Sequence, residues 1–556
     1  MIGVPTDVNS AYWRGVATGP KCITEALFST PPNGRGWLAL LLRHPSSFAP
    51  VFVSSFATRP FRAVRLIVGR AIIALAAIAL DCFAEVNAQS RSNPSGWWQA
   101  TLRHAGESRS VWLHFQYRSG KLTASFSNPE IGAYDAPLGE AIVRPGVVEL
   151  KDLGWTLQRE DASGALTGVV PPDLIPVYRI EARFVRSAPP IPRIDPKPAY
   201  PPPAPLWQQI VGASVYAGLA FDPVHRIVII ATDLGRVIAL GAKTGAIVWS
   251  SNAGGPIRAT PLVVGRALYV PTDARLIKID TATGKFIWSA SIGRETAPRR
   301  DITDPNSRWD HYSSSAVLAG NSVYVGGRDG CVYRLGGASG AQLARYCAKD
   351  LITATPVVDG NRLYFGSFDK HVYAVNIDSG QLIWARDLQG EVPRDLAIAG
   401  GKILAGSRSY DLDALNMDTG GISWKRYYWF SWVDSPPVVM GHSIYTGSSD
   451  SLRVFAFALN GTKRWERRLP GWIWAKPAIG RSAIYAAVMG TSMPYIGHRA
   501  GGFAAVDRTT GRLRWLLESR RPQKARLYGF ASAPIVAEHI VYAADLEGRI
   551  MAFVDQ

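Results

Sequence analysis

Cysteine is scarce, at four residues in 556, and none stands at zinc-ligand spacing, so metal-stapled modules are not expected. A long apolar run is also missing. The best, residues 71–80, is half of what spans a bilayer, so the mature protein should have no integral membrane span. The formal net charge of +18 is scattered, with no unbroken block of basic residues and no helix-turn-helix or RNA-binding signature. Nucleic acid is therefore not an expected partner, and such a surface is either merely solvated or drawn to anionic envelope polymers. There is no G-x-S-x-G elbow. His311 followed by Ser313, Ser314 and Ser315 falls short of a nucleophile with its base and orienting acid, so hydrolase chemistry is not expected either.

What is present begins with an export signal. Arg62, Arg65 and Arg70 lead into the apolar core, and small residues at Val86 and Ala88 put cleavage after about Ala88. Residues 65–88 form the signal, and residues 1–64 are too long for its basic segment. The expectation is a true start near Val64 or Val68, with residues 1–64 spurious or a disordered leader. Cys82 follows Asp81, where lipidation wants a small residue, so no lipid anchor is expected. The destination is periplasmic or secreted. Cys331 and Cys347 remain after processing, flanking a hairpin that turns at residues 338–340, where a disulfide and two separate buried thiols both fit.

Residues 95–188 alternate apolar and polar positions between glycine turns, as a small antiparallel β-sandwich would. Trp98 to Leu102 and the "ALTG" at Ala165 to Gly168 resemble the W-x-G-x-L modules of exported bacterial proteins, with Ala100 where the module has Gly. Residues 189–205 are proline-rich and read as a stiff spacer. From residue 206 to 556 one phrase recurs about every forty residues, marked by Gly followed four residues later by Trp. The pairs are Gly245/Trp249, Gly284/Trp288, Gly380/Trp384, Gly420/Trp424, Gly461/Trp465 and Gly511/Trp515, with a degenerate copy at Gly340/Ala344. Each phrase holds four short strands. The last phrase lacks its fourth strand, which residues 206–211 with Trp207 can supply, so the array should close as eight blades. The repeated Trp residues read as packing between blades, and Asp233, Asp273, Asp329, Asp369, Asp450 and Asp545 as turn formers.

The phrases "RLIKIDTATGKFIW" and "HVYAVNIDSGQLIW" resemble the repeat of pyrroloquinoline-quinone (PQQ)-type propellers. The resemblance implies an all-β, eight-bladed PQQ-like β-propeller behind the small β-sandwich. It leaves function open, because that family includes quinoprotein dehydrogenases, the scaffold lipoprotein of outer-membrane β-barrel assembly and exported propellers without assigned activity.

In a propeller, chemistry usually sits at the mouth of the central channel. Loops leading to the innermost strands supply Trp309, Asp310, His311 and Tyr312, then Arg394, then Trp432 and Asp434, then Trp472, Trp474 and Lys476, and finally Tyr528. Aromatic and charged groups so placed suit a ligand or peptide pocket, or else they plug the channel. Insertions before the third blade and within the seventh should face each other across the mouth. A quinoprotein would need Ca²⁺ with several oxygen ligands and a carboxylate base. Asp310, Asp395 and Asp434 lie on separate blades, and the adjacent Cys-Cys pair of many alcohol-oxidising members is absent. The expectation is a monomeric binding or scaffold protein, without cofactor, for a protein or cell-envelope ligand; the alternative is a PQQ- and Ca-dependent oxidoreductase.

Overall fold

The computed structural model describes three strands between residues 12 and 43, and residues 94–556 except 105–106, 162, 171–177, 191–196, 294–298, 300–309, 493–498 and 524–525. In the expected leader, Tyr12–Trp13, Ile23–Ser29 and Trp37–Arg43 pair as an antiparallel sheet. The export signal at 65–88 lies outside the described residues, as do Trp309, most of the insertion before the third blade and residues 493–498 of the one within the seventh. Among the described residues no helix is long and apolar enough to cross a membrane.

Eight antiparallel strands follow, from Gly96–His104 to Tyr178–Val185. The first two alternate: Trp98, Ala100 and Leu102 point inward, as do Val111, Leu113 and Phe115 on the next strand. The expected small β-domain goes further than two stacked sheets, because its last strand pairs with its first (Ala182 opposite Ala100) and the sheet closes as a barrel. Closure removes both edges. The tail of the "ALTG" motif has a steric reason: a Cβ at Gly168 would lie 2.7 Å from the Thr156 carbonyl oxygen.

The remainder is a ring of eight antiparallel sheets, seven of four strands and one of five, in which Leu527–Gly529 also pairs with the long second strand Ala483–Thr491. We number the blades by chain order: blade 1 (220–252), blade 2 (262–291), blade 3 (317–347), blade 4 (357–387), blade 5 (397–427), blade 6 (438–468), blade 7 (478–518) and blade 8 (535–554). Trp207–Ile210 is the outer strand of blade 8, with Trp207 opposite Ala552 and Ile210 opposite Arg549, so the ring closes through its N-terminal strand. Second strands such as Ile227–Ala231 and Ser322–Gly326 are buried throughout, whereas outer strands such as Ile247–Asn252 show one half-exposed and one exposed face.

The Gly-x-x-x-Trp repeat is a blade-to-blade joint. Except for Trp515, each Trp lies against the glycine of the following blade: a Cβ at Gly245 would fall 2.5 Å from the Trp207 ring, and one at Gly420 2.6 Å from Trp384. In five of these joints the indole N–H crosses the same gap, while the Trp288 N–H is buried with no hydrogen-bond partner among the described residues. Trp207 donates to the Ala242 carbonyl at 2.8 Å, Trp249 to Thr281 at 2.7 Å, Trp384 to Met417 at 3.0 Å, Trp424 to Leu459 at 3.0 Å and Trp465 to Arg508 at 3.0 Å. Burying the ring and satisfying its one donor in a single contact explains why Trp is repeated. Blade 3 has Ala344 in that position, and nothing lies within 4 Å of a Cβ on Gly380 opposite. There Tyr346 donates its hydroxyl to the Ile377 carbonyl at 2.6 Å instead. The same blade carries a disulfide between Cys331 and Cys347, directly opposite each other on its third and outer strands.

Candidate functional site: the channel mouth

Two sets of loops converge on one face of the ring: those leading into each innermost strand, and those joining second and third strands. Asp310, His311, Tyr312, Arg394, Asp434 and Trp474 line one pocket there, together with Thr353, Pro393 and Arg408. It encloses about 280 Å³, part of it open to solvent. Six of the residues singled out in the sequence are thus brought together from four separate loops.

One wall of the pocket is a closed aromatic cluster. Trp472 and Trp474 stack at 4.7 Å and 12°, and with Leu452, Met489, Ala531 and Leu546 they form a buried apolar cluster. Trp472 is 1% exposed, and its indole N–H donates to Asp450 Oδ1 at 3.1 Å. Tyr528 is equally enclosed, giving its hydroxyl to the Arg499 carbonyl at 2.9 Å. Trp472 and Tyr528 are therefore buried and do not line the pocket. Trp432 is half-buried beneath Arg408, whose guanidinium lies 4.4 Å from its ring centroid, and Lys476 is exposed. Neither lines the pocket.

Its electrostatics are set by arginines that the sequence reading did not single out. Arg328 pairs with Asp310 at 2.5 Å, both almost fully buried, and Arg408 with Asp434 at 3.3 Å. Arg499 pairs with Asp450 at 3.4 Å and lies 5.4 Å from the Trp472 ring centroid. Burial pushes the Arg499 guanidinium down to about 10 and raises the Asp450 carboxyl. Arg299 binds Asp273, and Ser313 donates to the same carboxylate at 2.9 Å. Burial alone would raise Asp273; the Arg299 hydrogen bond and charge outweigh it and hold the carboxyl below its usual range. Tyr312 donates to the Ala531 carbonyl at 2.8 Å, and its burial raises it to about 12. Asp329, Asp369 and Asp545 do form turns, accepting backbone N–H groups at 2.8–3.2 Å. Asp273 and Asp450 do not follow them, because they hold arginines at the mouth. The signal was readable in the turns between second and third strands, where "GGRDG" and "SRSY" place Arg328 and Arg408 beside the channel.

The loop between blades 5 and 6 divides its aromatic residues between two tasks. Trp432 and Asp434 face the mouth, whereas Trp429 and Phe430, both at positive φ, turn away into the barrel. Trp429 is 5% exposed and belongs to the barrel's own core. Its indole N–H donates to Glu107 Oε2 at 2.7 Å, and the Arg109 guanidinium lies 5.0 Å from its centroid. Arg468 and Arg499 add hydrogen bonds to the barrel carbonyls of Pro129 and Ile131. The barrel is therefore seated beside the mouth over blades 5 to 7.

The family described as "Outer membrane protein assembly factor BamB" matches residues 202–370, 299–394 and 368–556, which together span the whole ring. The chain belongs to this family of PQQ-like propellers. No curated protein matches it. Among solved structures, BamB from Moraxella catarrhalis is 21% identical, with a TM-score of 0.42, over 51% of this chain and 85% of that one. The computationally designed Ika8 protein is 15% identical, with a TM-score of 0.50, over 62% and 98%. Quinohemoprotein alcohol dehydrogenase from Comamonas testosteroni is 12% identical, with a TM-score of 0.47, over 63% and 76%. At these identities the similarity shows the fold alone.

The residues at this PQQ-like mouth do not fit a quinone with its Ca²⁺. Asp310 and Asp434 are each held by an arginine, Asp395 accepts the Thr355 N–H at 3.2 Å, and no three acidic, His or Cys side chains cluster among the described residues.

Proposed function

We propose that this protein is an exported, non-enzymatic binding or scaffold propeller of the cell envelope, and that the channel mouth is where a partner protein docks. The observation that carries this reading is the pocket itself: a partly solvent-open recess lined by charged and aromatic residues from loops of several blades, walled on one side by a buried aromatic cluster. Rigid blades carrying loops around such a recess suit recognition. The carboxylates at the mouth are held in ion pairs rather than poised as bases, which suits binding better than proton abstraction. Export rests on the signal at residues 65–88, and the envelope setting agrees with the assembly-factor description of the family.

The test is site-directed photo-crosslinking in the native host, with a photoreactive residue at Trp432 and a control at Leu343 on the outer strand of blade 3. A discrete protein adduct from Trp432 alone is the expected result. Adducts from neither position, or equally from both, would sink the reading. Quinone absorbance and dye reduction with alcohols or aldoses, after addition of PQQ and Ca²⁺ to the pure protein, would establish the oxidoreductase alternative.

A further inference from the structure

Trp474, which lines the pocket, packs with Trp472 and Met489 in a buried apolar cluster, so the pocket is walled on that side. Whatever binds must project a group in from the open side. The charges around the recess then decide what kind of group fits. Arg328 with Asp310 and Arg408 with Asp434 are closed pairs. Arg394 is different. Among the described residues no carboxylate pairs with it: its guanidinium lies 3.5 Å from the Tyr312 ring centroid, and Nη2 reaches the Trp474 carbonyl at 3.4 Å. Its Nε is buried without a hydrogen-bond partner among the described residues. A second cation, Arg258, stands on the far side of the His311–Tyr312 pair, with Nη1 3.3 Å from His311 Nδ1 and its own Nε likewise unsatisfied.

We propose that the pocket receives a single carboxylate, the side chain of an acidic residue on the partner's docking segment, with Arg394 as the anchoring cation. This rests on the reading of the mouth as a partner's seat. The guanidinium edge offers parallel N–H donors that match a planar carboxylate. Counting Arg328, which pairs with Asp310 from behind the lining, three guanidinium groups stand against the Asp310 and Asp434 carboxylates, and that one surplus positive charge suits a monoanion, whereas a phosphate dianion would face the same two carboxylates with twice the charge. An uncharged segment would leave Arg394 buried beneath it with no counter-charge, which is unfavourable.

The experiment uses the full chain and two capped tripeptides, acetyl-Gly-Glu-Gly-amide and its Gln counterpart, followed by calorimetry and by Trp emission. The Glu peptide should bind at least about tenfold more tightly, equivalent to about 1.4 kcal/mol, and should weaken as salt rises. Arg394→Gln should abolish that preference, and Arg394→Lys should keep part of it. Equal binding of the two peptides to the unaltered protein overturns the proposal. So does binding of neither at about 10 mM, or displacement of the Glu peptide by inorganic phosphate at equal concentration. The peptide comparison needs no variant, so a poorly folded Arg394→Gln protein does not remove the test. Crosslinks from Trp432 that survive in Arg394→Gln would leave the partner's seat standing and remove the carboxylate. A Glu preference without any crosslinked partner would do the reverse.

Discussion

Asp413 stands on the third strand of blade 5 with no exposed side-chain surface, opposite Lys425, whose Nζ is 3.6 Å away. Neither carboxylate oxygen has a hydrogen-bond partner among the described residues. Burial, helped by the neighbouring Asp411 charge, pushes its carboxyl up to about 7, with Lys425 opposing. The folded protein therefore keeps a proton that the unfolded chain releases near 3.8. The stability this contributes is full below that value, declines as pH rises to about 7, and is absent above it. Asp413→Asn should raise the melting temperature by several degrees at pH 8 and leave it nearly unchanged at pH 4, measured against the parent at each pH. The blade joints allow a second test at this scale. Gly420→Ala forces a Cβ into the Trp384 ring, whereas Gly380→Ala meets nothing within 4 Å, although both positions have nearly equal positive φ. The first should be the more destabilising by roughly 1–3 kcal/mol in denaturant titrations. Equal losses would mean that backbone conformation alone explains the repeat's glycine.

Among the elements, the closing strand has the largest consequence for its size. Deleting residues 206–211 removes the strand opposite Arg549, Ile550, Met551 and Ala552 and exposes a blade edge. Cooperative melting should be lost, or its midpoint should fall by several degrees; an unchanged melting curve would contradict closure. This element was legible in the sequence because the last repeat stops one strand short while Trp207 stands ahead of the first. The other blades were legible for the same reason, a period set by turns and Trp. The barrel was only partly so. Alternation at Trp98, Ala100 and Leu102 shows that strands exist and which face is buried, but whether the first strand meets the last is decided by long-range pairing that no local pattern encodes. The mouth divides similarly. Asp310, His311, Tyr312, Arg394, Asp434 and Trp474 could be placed from loop position, whereas the ion pairs of Arg328 and Arg408 depend on which turns approach across the ring.

For the whole molecule, the barrel and ring share a side chain. Trp429 leaves the ring to complete the barrel's core, so the barrel's stability depends on the propeller beneath it. Trp429→Ala removes that ring from a buried setting, a loss of about 3–5 kcal/mol for large aromatics. Calorimetry of the variant should resolve a separate low-temperature barrel transition ahead of propeller melting. A single transition shifted as a whole would show that the two parts unfold together.

The ring's eight joints are not equal, and the odd one has a chemical address. Between blades 3 and 4 no indole is seated on Gly380, and the outer strand that should carry it is instead tied to its neighbour by Cys331–Cys347. Seven joints depend on packing, hydrogen bonds and ion pairs such as Arg362–Asp418, while the strand at the eighth also depends on the electron balance of its surroundings. In an oxidising envelope the ring is a closed hoop. Given a reductant, it acquires a preferred point of rupture: amide exchange should accelerate first along Gln342–Cys347 and the facing edge of blade 4, while the strands at Trp249 and Trp424 stay protected.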